Sequence, residues 1–189
     1  AAIGSYKRAL KIKPDYADAY YNMGNALQDK GNLQASIESY KQALKIKPHF
    51  AEAHNNMGSA LKDKGDIEAA IDSYKQALNI KPDYAEAYNN VGNILTDKDD
   101  IEAAIDSYKQ ALKVKPDYAE AYYNMGNALK ENGDLEAAIN SYKQALKIKP
   151  DYAEVYNNMG GALKDKGDPE AAIDSYNHAI KIQPDNAET

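Results

Sequence analysis

The residues KIKPDYADAY at 11–20 return as KIKPHFAEAH at 45–54, NIKPDYAEAY at 79–88, KVKPDYAEAY at 113–122 and KIKPDYAEVY at 147–156. Six of the seven prolines, Pro14, Pro48, Pro82, Pro116, Pro150 and Pro184, therefore stand 34 residues apart. A fixed period of roughly 20–50 residues marks a repeat array, in which each unit buries its apolar face only against its neighbours. Counted outward from the prolines, the chain reads as a partial unit at 1–16, five whole units at 17–50, 51–84, 85–118, 119–152 and 153–186, and the start of another at 187–189. No linker or shift of composition separates them.

Composition removes several functional classes. The 189 residues contain no Cys, so disulfide scaffolds, cysteine nucleophiles, thiolate zinc sites and iron–sulfur clusters are excluded. No apolar run approaches the ~20 residues of a membrane span, and no signal-peptide core is present. The 23 basic against 29 acidic residues give a net charge of −6, which argues against binding a phosphate backbone. A hydrophobic content of 43% predicts a folded chain. The residues do not fix the compartment; a cytoplasmic one is the default expectation.

Each unit reads as two amphipathic helices. Ala51, His54, Met57, Gly58 and Leu61 share one helical face, and Ile67, Ala70, Ile71, Tyr74, Ala77 and Leu78 trace the buried stripe of the next helix. Asp83 with Glu86 three residues later predicts a capping box, with the helix starting near Tyr84. Lys64-Gly65-Asp66 reads as a helix stop, a left-handed glycine and the N-cap of the following helix. Lys81-Pro82 closes that second helix, because the residue before proline is pushed out of the α region. Gly58, repeated in every unit, costs about 1 kcal/mol of propensity against Ala and implies helices that cross too closely for a Cβ.

The pattern Y-x2-M-G-x2-L…A-x3-Y…P, carried in one unit by Tyr122, Met125, Gly126, Leu129, Ala138, Tyr142, Ala145 and Pro150, resembles the tetratricopeptide repeat (TPR). The resemblance covers essentially the whole chain. Departures are His54 for the aromatic, Val91 for Met, Ser36 for Ala, Asp99 for the loop Gly and Pro169 for Ile or Leu. Asp99 is expected to strain its turn, and Pro169 to be tolerated at a first helical position. The resemblance implies an all-α fold, a right-handed α-solenoid (superhelix) of helix-turn-helix units with the first helices lining a concave groove. AAIGSYKRAL at the start aligns with the middle of IEAAIDSYKQAL at 67–78. The leading unit is therefore expected to hold only its second helix, exposing Ile3, Tyr6 and Leu10. Tyr176 and Ile180 are expected to be exposed at the other end, and such uncapped ends to permit self-association.

Candidate binding residues are those that the core does not require. Numbered from Ala17 as position 1, each first helix carries positions 2, 6, 9 and 13 on a face read as opposite the buried stripe. Position 2 holds Asp18, Glu52, Glu86, Glu120 and Glu154; position 6 holds Asn22, Asn56, Asn90, Asn124 and Asn158. Position 9 includes Asn25, Asn93 and Asn127, and position 13 includes Asp63, Asp97 and Glu131. Asn is a poor helix-interior residue, so its recurrence asks for a reason. Carboxamides that grip the backbone of an extended peptide are one reading; hydrogen bonds between repeats are the other. The column resembles the asparagine ladder of the TPR region of O-linked N-acetylglucosamine transferases. The chain is thus expected to be an interaction scaffold whose groove takes a basic or neutral peptide or protein segment. The alternatives are a substrate-recruiting region of a larger enzyme, such as a glycosyltransferase, and a structural self-assembling module. Position 5, with Tyr21, Asn55, Asn89, Tyr123 and Asn157, lacks the Lys of a carboxylate clamp, while Tyr21 and Tyr123 are placed at the groove edge. No catalytic residue, metal site or cofactor is expected: His49, His54 and His178 are scattered, and Ser39, Ser73, Ser107, Ser141 and Ser175 have no His beside them.

Overall fold

A computed structural model describes residues 2–183. They form eleven helices: α1 (Ala2–Ile12), α2 (Ala17–Gln28), α3 (Leu33–Ile46), α4 (Ala51–Lys64), α5 (Ile67–Ile80), α6 (Ala85–Asp97), α7 (Ile101–Val114), α8 (Ala119–Glu131), α9 (Leu135–Ile148), α10 (Ala153–Lys166) and α11 (Pro169–Ile182). No strand occurs among the described residues, and no helix there is long and apolar enough to cross a membrane. The fold is an all-α helical repeat solenoid. Pro184 and the expected unit start at 187–189 lie outside the described residues.

The chain divides into two compact units, Ala1–Asn90 and Val91–Thr189, with the boundary inside α6. In the first, α2 pairs with α3 and α4 with α5, and α3 packs on α4. In the second, α8 pairs with α9 and α10 with α11, while α7 packs on α8 and α9 on α10.

A tyrosine set across a glycine closes each hairpin. A Cβ built on Gly24, Gly58, Gly92, Gly126 or Gly160 would lie 2.5–2.7 Å from Cε1 of Tyr40, Tyr74, Tyr108, Tyr142 or Tyr176 respectively. The close crossing expected of Gly58 is therefore a seat for the Tyr74 ring. Tyr40, Tyr74, Tyr108 and Tyr142 are almost completely buried, flanked by Ala43, Ala77, Ala111 and Ala145. Ser36, standing for Ala, keeps its place in this core by donating to the Gly24 carbonyl at 2.8 Å. Ser39, Ser73, Ser107 and Ser141 donate to the carbonyl four residues earlier at 2.8–2.9 Å, which occupies their hydroxyls locally.

The turns follow the sequence with one correction. Gly65 ends α4 in the left-handed region at φ 93°, and Lys81 leaves α5 extended at φ −132°. Pro169 is the first residue of α11. The capping box at Asp83 does not form as read. The first helices begin one residue after an aromatic N-cap, Tyr16, Phe50, Tyr118 or Tyr152, which makes no side-chain cap bond, and α6 likewise starts at Ala85 after Tyr84. Burying the ring outweighs the cap there: Phe50 and Tyr84 are 8% exposed, and Lys47 and Lys81 sit over their faces at 4.1 and 4.6 Å. At the array's start, Ile3, Tyr6 and Leu10 are half-buried rather than exposed, because α1 packs on α2. Ile12, Ile173 and Ile180 are exposed, and Tyr176 is half-buried.

Asp99 is the one non-glycine residue with positive φ, at 62°, among the described residues; Gly31, Gly65, Gly133 and Gly167 hold the equivalent turns. Changing Asp99→Gly removes a penalty of roughly 1–2 kcal/mol for an L-residue in that region, offset by the backbone entropy of glycine. The net expectation is a gain of up to about 1 kcal/mol, read as a higher urea midpoint; a lower midpoint would contradict it.

Candidate functional site

The first helices of the hairpins, α2, α4, α6, α8 and α10, carry the two asparagine columns. Asn22 is exposed and makes no side-chain hydrogen bond among the described residues. Asn25, Asn56, Asn90, Asn93, Asn124, Asn127 and Asn158 are half-buried. They lie on the flank of the buried stripe rather than opposite it.

That placement draws them into polar chains that tie one hairpin to the next. In the first unit, Tyr40 Oη lies 2.7 Å from Asn25 Oδ1 and 3.1 Å from Gln28 Oε1. Asn56 Nδ2 donates to Asn25 Oδ1 at 2.9 Å and to Tyr21 Oη at 3.1 Å. Asn55 Nδ2 donates to Asn56 Oδ1, and Asn90 Nδ2 to Asn55 Oδ1, both at 3.1 Å. The second unit repeats the scheme. Tyr142 Oη donates to Asn127 Oδ1 at 2.8 Å, and Asn158 Nδ2 donates to Asn127 Oδ1 at 2.9 Å and to Tyr123 Oη at 3.1 Å. Tyr108 Oη donates to Asn93 Oδ1 at 2.9 Å. Burial pushes the phenols of Tyr40, Tyr74 and Tyr108 up to about 12, and that of Tyr142 higher still. These hydroxyls therefore stay protonated donors near neutrality.

One contributor to this network, Asn55, escapes a reading of surface columns. Asn55 and Asn89 at position 5 are buried, 6% and 1% exposed, and Asn55 supplies the acceptor that Tyr21 and Tyr123 supply elsewhere. The alternation of Tyr and Asn at one position is the sequence signal, since both end in an oxygen that can accept. Tyr21 and Tyr123 do not stand at a free edge. Their rings pack on Phe50 and Tyr152, with centroids 4.8 and 5.3 Å apart.

The acidic candidates divide by their partners. Glu52 pairs loosely with Lys81 at 3.8 Å, and Asp63 accepts from Gln28 Nε2 at 3.4 Å. Glu86 and Asp97 also have partners. Glu120 and Glu131 are exposed and make no ion pair among the described residues. Exposed pairs such as Lys130 with Asp165 at 3.6 Å contribute little to stability. Among the described residues no three His, Asp or Glu side chains gather as metal ligands. His178 stacks on Tyr156 with centroids 5.1 Å apart, and His54 Nε2 lies 3.3 Å from the Pro48 carbonyl.

Family models for the TPR repeat match residues 1–31, 24–65, 58–96, 92–133 and 126–167, and a tetratricopeptide repeat model matches 153–186. The chain belongs to the tetratricopeptide repeat family. No curated protein sequence matches it significantly. Among solved structures, this TPR chain is similar to the crystal structure of MamA, at 29% identity and a TM-score of 0.77, over 88% of this chain and 98% of that one. It is also similar to YrrB, described as a TPR protein with an unusual peptide-binding site, at 23% identity and a TM-score of 0.71, over 95% and 93%. The Cut9–Hcn1 hetero-tetramer of the APC/C aligns at 19% identity and a TM-score of 0.85, over 97% of this chain and 36% of that one. At the last two identities the likeness is one of fold. Taken with the family, these TPR relatives support a protein-interaction repeat module.

Asn127 accepts from two donors, so Asn127→Ala leaves Tyr142 Oη and one Asn158 N–H without their acceptor. The expected cost is about 1–3 kcal/mol in urea unfolding, whereas Asn22→Ala is expected to stay within about 0.5 kcal/mol. Equal effects of the two changes would contradict the network.

Proposed function

We propose that this TPR array binds an extended segment of a partner protein along its first helices. The observation that carries this reading is the orientation of the position-6 carboxamides. Asn56, Asn90 and Asn158 commit Nδ2 to the preceding hairpin. Their carbonyl oxygens are then held in fixed directions, with capacity to accept from the backbone N–H groups of a ligand, in Asn56 beside the bond from Asn55. Asn22 and Asn124 belong to the same column. An uncharged acceptor at this spacing selects the peptide backbone rather than any one side chain, and its immobilisation lowers the entropy cost of binding.

Selectivity is assigned to the acids. Glu52, Glu86 and Glu120 at one end of the helices and Asp63, Asp97 and Glu131 at the other favour Lys or Arg on the ligand, or a neutral segment over an acidic one. Asn25, Asn93 and Asn127 hold the column in place, with their oxygens already accepting from tyrosine hydroxyls.

The test is a peptide-library screen followed by titration of the best ligand against the triple change Asn56, Asn90 and Asn124→Ala. At about 1 kcal/mol for each lost hydrogen bond, affinity is expected to fall by roughly one to two orders of magnitude, while the chain remains folded by circular dichroism. Unchanged affinity in the folded variant would contradict the proposal. For a basic ligand, affinity is also expected to weaken as salt rises, since the exposed acids are screened.

A further inference from the structure

The repeats act as controls for one another, and three departures converge on one place. His49 stands where the other units have Asp15, Asp83, Asp117 and Asp151. His54 replaces Tyr20, Tyr88, Tyr122 and Tyr156, and Asn79 replaces Lys45, Lys113, Lys147 and Lys181. All three line a single open cavity of about 630 Å³, together with Pro48, Gln76 and Ile80. That volume is within the range of small-ligand sites. The exchanges also remove one formal charge of each sign from its walls and replace a long lysine with a short amide.

The geometry of another repeat says what belongs there. Tyr156 is the counterpart of His54, and His178 the counterpart of Gln76. The Tyr156 ring lies stacked on His178, with centroids 5.1 Å apart and planes at 16°. A phenol ring thus covers the counterpart of Gln76 when the repeat supplies its own. Where His54 stands instead, the ring is shorter and carries no hydroxyl. His54 Nε2 is 3.3 Å from the Pro48 carbonyl, which makes it the donor and leaves Nδ1 as an acceptor. Nδ1 is the one buried side-chain polar atom without a partner among the described residues. Burial also lowers the pKa of this imidazole, with the Pro48 hydrogen bond partly opposing the shift.

We propose that the cavity receives a tyrosine side chain of a partner protein, its ring packed beside His54 and its hydroxyl donating to the side-chain oxygen of Gln76 or Asn79. A phenol restores over this wall the group that the other units place there, and its O–H meets the neutral amides of Gln76 and Asn79. None of the lining residues belongs to the asparagine column, so this site and the peptide-binding reading can fail separately.

The test uses N-acetyl-tyrosinamide as the probe, with the ring signals of His54 and the methyl signals of Ile80 followed by NMR. Saturable shifts at both residues with millimolar affinity are expected, and markedly weaker ones with N-acetyl-phenylalaninamide. His54→Tyr returns the side chain of the other units; it is expected to abolish the shifts at Ile80 without lowering the melting temperature. Should that variant melt early, Asn79→Lys, which restores the other missing side chain, is expected to weaken the probe in its place. Absence of shifts in the native chain up to the solubility of the probe, equal binding of the two probes, or undiminished binding in the folded variants would overturn the proposal.

Discussion

Everything in this array rests on a tyrosine ring seated over a glycine. The glycine lies in the first helix of a hairpin and the ring comes from the second, so the contact sets how closely the two helices approach. It has a polar consequence as well. With its ring held there, the hydroxyl of Tyr40, Tyr108 or Tyr142 reaches the position-9 asparagine of the first helix. In two hairpins that asparagine also accepts from the position-6 carboxamide of the next first helix. A packing contact inside one repeat is thereby converted into a hydrogen bond between repeats, and the column that the proposed ligand would touch inherits its order from the core.

This linkage reconciles the two readings of the asparagines. Structural and binding roles compete only if one group must do both, and a carboxamide has two ends. Its donor end closes the inter-repeat bond, and its oxygen, which in Asn56 already accepts from Asn55, keeps room for a second donor. An aspartate would lack the donors, and an alanine would lack both ends. The cost of asparagine in a helix interior, a few tenths of a kcal/mol or so, is small beside what an unmet buried donor would cost.

The repeat period, the hairpin turns and the glycine crossing were legible because each is written several times over, in Pro48, in Gly65 and in Gly58 and their counterparts. Asp99 was legible as strained because four glycines hold the same turn. What escaped was set by contacts between units, which no single-helix periodicity encodes. The half-burial of Asn56 and Asn158 depends on a neighbouring hairpin, and so does the acceptor role of Asn55. The aromatic N-caps were hidden for a similar reason: Asp83 and Glu86 have the spacing of a capping box, but burial of Tyr84 moves the helix start past the aspartate. The cavity beside His54 could be suspected only after His49, His54 and Asn79, up to thirty residues apart in sequence, were brought to one wall.

The most direct measurement is thermal unfolding of two glycine variants side by side. Gly4, in α1, has nothing within 4 Å of where a Cβ would stand, so Gly4→Ala is expected to raise stability through helix propensity, by up to about 1 kcal/mol. Gly58→Ala gains the same propensity but drives a methyl to within 2.7 Å of the buried Tyr74 ring. Overpacking of about 1–3 kcal/mol is then expected to outweigh the gain and lower the melting temperature. A Gly58→Ala protein that melts at or above the native temperature would contradict the account.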